Sequence, residues 1–542
     1  LPTHSSQISL LLDSLQIPLL FSPLPYSFLL SPFPIIDQLL FLLPKIFSHF
    51  NFILHSPDIY PNGHIKSFYF ILKDFNVLIG YHNIFIRRFD IWTFLYSTVF
   101  VIEEILQVAN KLVKNFSSPF RVWFGNIAYI CVYDGDQIKA VLQSRCFEKS
   151  SIYNIFKPVL RTGLLTSSVS IWSSNRKMME RIFTPNHLRM YFNIFVQQSL
   201  ALTDELEKVE QNSNEIILLD FLYRYNLNIA CETMLGLKVE SQLLHQLLEI
   251  VMSIKKTFRY RLSHIFLHSN VIFNLSTTKR RQQKLLNNGI LLINEILQRK
   301  HAFDKFEATK SNSETLLFDI LLEASHEGRL TQQEHLDQVI TMLFAATDTT
   351  ALTINFVTFM LANFPEVQEK VYNELSEIYG TESPKSVPIK YDDLQKMEYL
   401  NRVIKETMRL FPSGPLIGRI LTEELKIGEI ILPKGADILM SIFHMHRNKK
   451  HWSNPLVFDP DRFLPGNLKH CSKYFMPFST GLRNCIGQKY AMISMKVILA
   501  TLIRTFEFKL DKNINIYDIK LSIDATLCTV NPLKVKIEKR NY

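Results

Sequence analysis

Paired cysteines are missing from this chain. Its six cysteines, spread over 542 residues, include no C-x-x-C pair and none of the close spacings that disulfide scaffolds and zinc sites have. The chain also contains no G-x-G-x-x-G segment, which excludes the usual dinucleotide and flavin fingerprint. We therefore expect reduced, mostly structural thiols, and a cysteine set among glycines and arginines would need its own explanation.

Charge of one sign does not dominate the chain either. Lys and Arg number 60 against 50 Asp and Glu, and the net charge of +10 suits a nucleic acid, an anionic membrane or an acidic protein. The densest basic run, Lys279 to Arg281 followed by Lys284, is short and has no interleaved aromatic residues. It favours a solvated helix face, and we expect no nucleic-acid binding.

A clean membrane-spanning segment is also missing near the beginning of the chain. Residues 14–36 carry no charge, but five prolines interrupt them, and such a stretch makes a poor continuous helix. The apolar run from Ile91 to Ile102 is too short to cross a bilayer and predicts a buried or interfacial helix. We expect residues 1–95 to be an atypical N-terminal segment, either membrane-associated or a gene-model artefact, and residues 96–542 to form one domain.

Helical periodicity dominates the chain from about Val101 onward. Hydrophobic residues make up 47% of the sequence and charged residues 20%, which is enough for a sizeable core. The longest apolar helix candidate runs from Glu334 to Phe364 and stops at Pro365, and a second, amphipathic helix ends at Gly380. The segment RVWFGNIAYICVYD alternates as a β-hairpin does. The sequence therefore predicts a mainly α fold with a small β region.

The strongest motif is FSTGLRNCIG, which places Phe478, Gly481, Arg483, Cys485 and Gly487 within ten residues. A helix-like run follows Cys485, and the first amides and positive dipole end of a helix favour a thiolate. Glycines allow the backbone to approach a flat cofactor closely. The motif resembles the haem-binding signature of the cytochrome P-450 family, and a buried structural cysteine in a glycine turn is the alternative.

A second motif, YLNRVIKETMRLF, places Glu406 and Arg409 three residues apart on one helix face. Such pairs are common on solvated helices, but the flanking apolar residues indicate a partly buried pair that needs further partners. In the cytochrome P-450 family an arginine from a downstream loop completes this motif, and FDPDRF supplies Arg462. The resemblance implies that the three residues form a structural network behind the cysteine loop.

A third motif, FAATDTTA, interrupts the long apolar helix with polar residues. A threonine there can return its hydroxyl to the carbonyl four residues earlier and open a groove. By resemblance, Asp348 and Thr349 would be the catalytic residues that relay protons for oxygen activation; threonines satisfied within a core helix are the alternative. Ala346 stands where the family often has glycine. Ala345 stands where many fatty-acid omega-hydroxylases carry a glutamate that is esterified to the haem, so no covalent attachment is expected.

Four further residues match the positions at which the family binds the haem propionates. Propionates need cationic or hydrogen-bonding partners when they are partly buried. Trp172 and Arg176 form a W-x-x-x-R pattern, Arg419 follows the Glu406 helix, and Arg483 belongs to the cysteine motif. Together with Phe478 and the axial ligand Cys485, they are the cofactor-binding residues that the resemblance implies.

The resemblance covers about residues 103–542 and implies the cytochrome P-450 fold, closest to the microsomal branch that includes fatty-acid omega-hydroxylases and insect enzymes. It implies haem b with an axial thiolate, and a monooxygenase that inserts one oxygen atom from O2 into a lipophilic substrate. Electrons would come from an NADPH-dependent cytochrome P-450 reductase, with cytochrome b5 as a second donor. The cytosolic face of the endoplasmic reticulum membrane is the expected location. A haem-thiolate isomerase or dehydratase, and a non-catalytic haem-binding homologue, are the alternatives.

A histidine pair and a group of lysines lie outside the three motifs. His444 and His446 form an H-x-H pair that can chelate a metal on a strand, although HMHRN also resembles a structural stretch of the family. Four lysines surround the cysteine motif and predict either a basic docking face for the electron donor or a plainly solvated face: Lys469, Lys473, Lys489 and Lys496.

Overall fold

The computed structural model describes residues 105–124, 127–211, 215–307, 316–467 and 473–540. The helices are α1 Ile105–Asn115, α2 Gly135–Gln143, α3 Lys157–Leu160, α4 Val169–Met179, α5 Pro185–Glu210, α6 Leu218–Leu235, α7 Ser241–Ser263, α8 Asn270–Leu275, α9 Thr277–Glu307, α10 Leu317–His326, α11 Gln332–Asn363, α12 Pro365–Tyr379, α13 Glu398–Leu410, α14 Ile442–Met445 and α15 Gln488–Thr505. The strands are β1 Phe120–Phe124, β2 Ile127–Val132, β3 Leu416–Ile420, β4 Leu425–Ile427, β5 Ile430–Leu432, β6 Asp437–Ser441, β7 Phe506–Lys509, β8 Leu521–Ile523, β9 Leu527–Thr529 and β10 Lys536–Lys539. The prediction of a mainly α fold with a small β region is confirmed.

Helix α11 is the central element of the helical part. Thr331 caps its first turn, since the Thr331 hydroxyl accepts from the Glu334 amide while the Glu334 carboxylate accepts from the Thr331 amide. The helix ends just before Pro365, which begins α12 and has no amide hydrogen to donate. Helices α6, α13 and α15 pack against it. Because α11 is buried along most of its length, the polar residues within it are enclosed by protein.

The largest sheet has the strand order β1-β2-β6-β3. The β1–β2 pair is the hairpin predicted from alternation, β2 runs parallel to β6, and β6 runs antiparallel to β3. Arg419 lies opposite Ile438 in this register, and a further antiparallel bridge joins Lys149 to Arg419. The sheet therefore brings Lys149 close to a residue 270 positions later in the chain.

Three helices lie where the sequence indicated, and the long one begins two residues earlier and ends one residue earlier than predicted. The long apolar helix ends at Asn363, the amphipathic helix ends before Gly380, whose φ is +70°, and α15 follows the cysteine motif directly. The predictions for residues 1–95, and for the apolar run 91–102, lie outside the described residues, and the boundary at residue 96 stays a prediction. Among the described residues, α11 alone has the length and apolar composition to cross a membrane, and it is mostly buried in the protein.

Candidate active site

A tight loop before α15 carries Cys485. The Cys485 amide donates to the Phe478 carbonyl over 2.9 Å and closes the loop. Gly481 has a φ of +76°, and a Cβ atom there would lie 2.6 Å from the carbonyl oxygen of Leu142. Only glycine fits such a position without a shift of the backbone. Gly487 caps α15 and donates its amide to the Cys485 thiol, as expected for a cysteine at the beginning of a helix.

The thiol of Cys485 lies deep in the protein and still has accessible surface. Its side chain is accessible although protein surrounds it, whereas Cys146, Cys231 and Cys528 are buried. Burial raises the pKa of the Cys485 thiol, and the Gly487 amide and the charge of Arg176 act in the opposite direction. The environment alone therefore does not make the thiolate the favoured form, and coordination to a cation would complete its ionisation.

Three cations gather close to this loop without a matching set of anions. Burial, followed by the charges of Arg419 and Arg483, lowers the pKa of Lys149 well below its ordinary value. Burial, followed by the charge of Arg419, lowers the pKa of Arg483 to about 10, and Glu148 is the one carboxylate that opposes this effect. Burial also lowers the pKa of Arg419, and the Tyr153 hydroxyl opposes this effect.

Arg483 has unused donors within this group. Its guanidinium lies 4.2 Å above the Trp172 ring, and Nη2 donates to the Ser167 carbonyl over 3.3 Å. The Nε and Nη1 atoms are buried and have no hydrogen-bond partner among the described residues. Unpaired buried donors on a cation are costly. A flat cofactor with two carboxylates, such as haem b, fits this excess of positive charge beside a cysteine.

The guanidinium of Arg176 contacts the cysteine loop. Its Nη1 and Nη2 donate to the Asn484 carbonyl and side-chain oxygens over 2.7 and 2.9 Å, and its Nε pairs with Glu180 at 2.7 Å. Arg176 therefore holds the residue before Cys485, and its contact with a propionate stays a prediction. Lys149 was missed by the sequence analysis. A single lysine in a loop forms no sequence motif. The antiparallel bridge between Lys149 and Arg419 shows that Lys149 lies near the site.

Part of helix α11 is accessible at the FAATDTTA motif. Ala345 is exposed and Thr349 is half-buried, whereas Thr347, Asp348 and Thr350 are buried. The Thr349 hydroxyl donates to the Ala345 carbonyl over 2.9 Å, which is the contact expected four residues apart. Asp348 is buried on another face, where its Oδ1 pairs with Lys255 Nζ at 2.6 Å. Asp348 and Thr349 thus share a turn of α11 but have different partners.

Glu406, Arg409 and Arg462 lie together and share hydrogen bonds. The Arg409 guanidinium makes a bidentate pair with Glu406 at 2.7 and 2.8 Å, and Arg462 Nε reaches Glu406 Oε1 at 3.3 Å. Both Glu406 and Arg409 are fully buried. Arg409 Nη1 also donates to the carbonyl of His446, whose Nε2 accepts from the Met476 amide over 3.0 Å. The network thereby connects α13 to the segment that leads into the cysteine loop.

The histidine pair does not form a metal site. His444 and His446 lie on and just after the short helix α14 rather than on a strand. Burial lowers the pKa of each to about 3, which makes both rings neutral. His444 contacts Ser441 and Asn110, and no group of three metal-binding side chains occurs in the described part of the chain. The two histidines therefore belong to the hydrogen-bonded core.

An apolar cavity lies between α1, the four-stranded sheet and the connection after α7. Its lining is almost entirely hydrophobic and includes Leu106, Val122, Leu262, Leu439, Phe443 and Ile523. Cavities with this character bind hydrophobic small molecules. None of its described lining residues belongs to the cysteine loop or to α11.

Comparison with known proteins gives one consistent result. The family model for cytochrome P-450 matches residues 88–537. A relative from Drosophila melanogaster, probable cytochrome P-450 4p3, is 32% identical over 85% of this chain and 91% of its own length. Cytochrome P-450 4c3 from the same organism is 31% identical, and cytochrome P-450 4V2 from Mus musculus is 30% identical, each over 78% of this chain and 82% of its own length.

Proposed function

The chain belongs to the cytochrome P-450 family, and on this premise we propose that it oxidises a lipophilic substrate with electrons from an NADPH-dependent reductase. The family makes it an oxidoreductase of the monooxygenase type that binds haem b through a cysteine thiolate. The observation that carries the proposal is the accessible Cys485 side chain in the same loop as the buried Arg483, whose Nε and Nη1 have no hydrogen-bond partner among the described residues. These residues offer a haem an axial ligand and partners for its propionates.

The bound haem supplies the activation of O2, with the thiolate donating electron density that favours O–O cleavage. The chain's own residues position the reactants and move protons. Asp348 and Thr349 are the proposed proton-delivering residues, since they are the polar pair next to the open stretch of α11 at Ala345. Thr349 would donate a proton from its hydroxyl, which lies on the half-buried face of α11. Asp348, on the enclosed side, would supply the proton that replaces it.

A lipophilic substrate is supported by the apolar linings of the chain. The cavity beside α1 has few polar atoms, and its walls come from α7 and the β8–β9 hairpin as well as from the sheet. Its chemistry matches an alkyl chain or a similar apolar body. We propose a substrate of this class.

The electron donor is proposed to be a reductase, with cytochrome b5 as a second donor. The basic face expected around the cysteine motif is smaller than the sequence indicated. Lys473 pairs with Asp136, and Lys496 donates to the Leu394 carbonyl. Lys489 is exposed on the first turn of α15, and Lys469 lies outside the described residues. A docking role is therefore proposed for Lys489 above the other lysines.

The proposed location is the cytosolic face of the endoplasmic reticulum membrane, in line with the microsomal branch that the sequence resembles. A rearranging isomerase or dehydratase would need no proton delivery for oxygen activation, and the retention of Asp348 and Thr349 argues against it. A non-catalytic homologue would bind haem without consuming NADPH when reductase is present.

The proposal is tested with Thr349→Ala in a system reconstituted with reductase. We expect haem content and substrate binding to be unchanged while NADPH is still consumed, with less product and more hydrogen peroxide. Loss of one proton-transfer group typically costs a factor of about 10² to 10⁴. Thr358→Ala is the matched control, because Thr358 also donates to a carbonyl four residues earlier but is enclosed in the core. An unchanged peroxide-to-product ratio in Thr349→Ala would show that protons travel by another route.

A further inference from the structure

We infer that Thr526, in the β8–β9 hairpin, is a positioning residue for the Asp348 carboxylate. The inference rests on the proposed role of Asp348 in proton delivery. Thr526 belongs to none of the motifs that the sequence contains, and it lies 178 residues after Asp348 in the chain. Its hydroxyl nevertheless donates to Asp348 Oδ2 over 2.6 Å.

The two oxygens of Asp348 have two different partners. Oδ1 accepts from Lys255 Nζ of α7 over 2.6 Å, and Oδ2 accepts from the Thr526 hydroxyl. All three side chains are at least 90% buried. Hydrogen bonds to an ionised group are about twice as strong as neutral ones, and enclosure strengthens them further. The direction of the Asp348 carboxylate is therefore set from outside α11.

Of the two partners, Thr526 is the one that fixes direction. A lysine ammonium is a flexible point charge on a long stem, and Lys255 also donates to the Tyr223 hydroxyl over 3.2 Å. Thr526 has a short side chain on a rigid backbone, because Ile523 pairs with Leu527 across the hairpin and the Asp524 amide donates to the Thr526 carbonyl. Lys255 balances the charge of Asp348, and Thr526 sets where its second oxygen points.

The same elements that hold Asp348 also form walls of the apolar cavity. The cavity is lined by Ile523 of β8, three residues before Thr526, and by Leu262 and Ser263 at the end of the helix that carries Lys255. A lipophilic ligand in this cavity would contact Ile523 and Leu262, which belong to the hairpin of Thr526 and to the helix of Lys255. The cavity wall and the two groups that hold Asp348 therefore share these two elements.

The test compares Thr526→Val, Thr526→Ser and Asp348→Asn in the full-length, haem-containing protein with reductase. The measurements are the peroxide-to-product ratio and the solvent deuterium isotope effect on product formation. Haem content and the substrate-induced spectral change serve as structural checks. Thr529→Val is the matched control, since Thr529 lies on the same hairpin and pairs with Leu521 through its backbone.

For Thr526→Val we expect the peroxide-to-product ratio to rise about tenfold, the scale of one lost hydrogen bond to a charged group. The solvent deuterium isotope effect should also be larger, and the haem content should be unchanged. Thr526→Ser should restore both values, and Thr529→Val should change neither. If Asp348→Asn raises the ratio while Thr526→Val does not, the inference about Thr526 is wrong and the proposed role of Asp348 stands. If Asp348→Asn itself behaves as the unmodified protein, the proposed proton delivery is wrong. If Thr526→Ser keeps its haem but its peroxide-to-product ratio stays as high as that of Thr526→Val, Thr526 acts by packing alone and the inference is overturned.

Discussion

Arg409→Ala should lower the stability of the folded protein strongly. Arg409 is fully buried, makes a bidentate pair with Glu406, and donates to the carbonyls of His446 and Pro455 over 2.8 and 2.7 Å. The alanine variant leaves those carbonyls without their donor. It also leaves the Glu406 carboxylate with only the Asp459 amide at 3.0 Å and Arg462 at 3.3 Å. Removing one partner of a buried ion pair costs about 3–5 kcal/mol.

The destabilisation of Arg409→Ala should depend on pH. Burial raises the pKa of Glu406 above its usual value of 4.5, and Arg409 is the first of the groups that oppose this effect. Without Arg409 the folded-state pKa rises further. A carboxyl whose pKa is higher in the folded state contributes stability below the unfolded pKa and loses it as pH rises through the folded pKa. The variant should therefore be closest to the unmodified protein at acidic pH and furthest from it at neutral pH.

The assay for Arg409→Ala combines the free energy of unfolding in denaturant at two pH values with the haem content per chain. Arg181→Ala is the control, because Arg181 pairs with Glu323 at 3.6 Å with both side chains about half exposed. Exposed pairs contribute about 0–1 kcal/mol. A stable Arg409→Ala protein that retains its haem and is impaired only in turnover would refute the structural role of the network.

Two further outcomes are expected for the cofactor. Haem should be extracted completely by acidified organic solvent, because Ala345 offers no carboxylate for an ester, and haem that stayed with the denatured chain would contradict this. Lys149→Gln should release haem to excess apomyoglobin about tenfold faster than the unmodified protein, the scale of one lost charged hydrogen bond. Lys157→Gln is the control, because Lys157 is exposed, and its haem release should be unchanged. If Lys149→Gln and the unmodified protein released haem at equal rates, Lys149 would not be a propionate partner.

The sequence predicted the elements that depend on local patterns. Helix α11 lies where its apolar run and Pro365 indicated, and the β1–β2 hairpin follows from alternation. The contact of Glu406 with Arg409 follows from helical spacing. In each case residues close in the chain determine the structure.

Contacts between distant segments could not be predicted in the same way. Lys149 meets Arg419 only because the sheet places the two segments side by side, and Thr526 reaches Asp348 only because the hairpin packs on α11. The contact of Arg176 with Asn484 likewise joins segments that lie far apart in the chain. Motifs identified the site, and tertiary packing selected the partners of each side chain.

Thiolate ligation by Cys485 is tested most directly by the absorbance spectrum of the reduced, carbon monoxide-bound protein. The unmodified chain should give the red-shifted band that reports a thiolate opposite the carbon monoxide, and Cys131→Ser should keep it. Cys485→Ser should lose that band even if haem remains bound. A Cys485→Ser protein with an unchanged thiolate-type spectrum would contradict the assignment of the axial ligand.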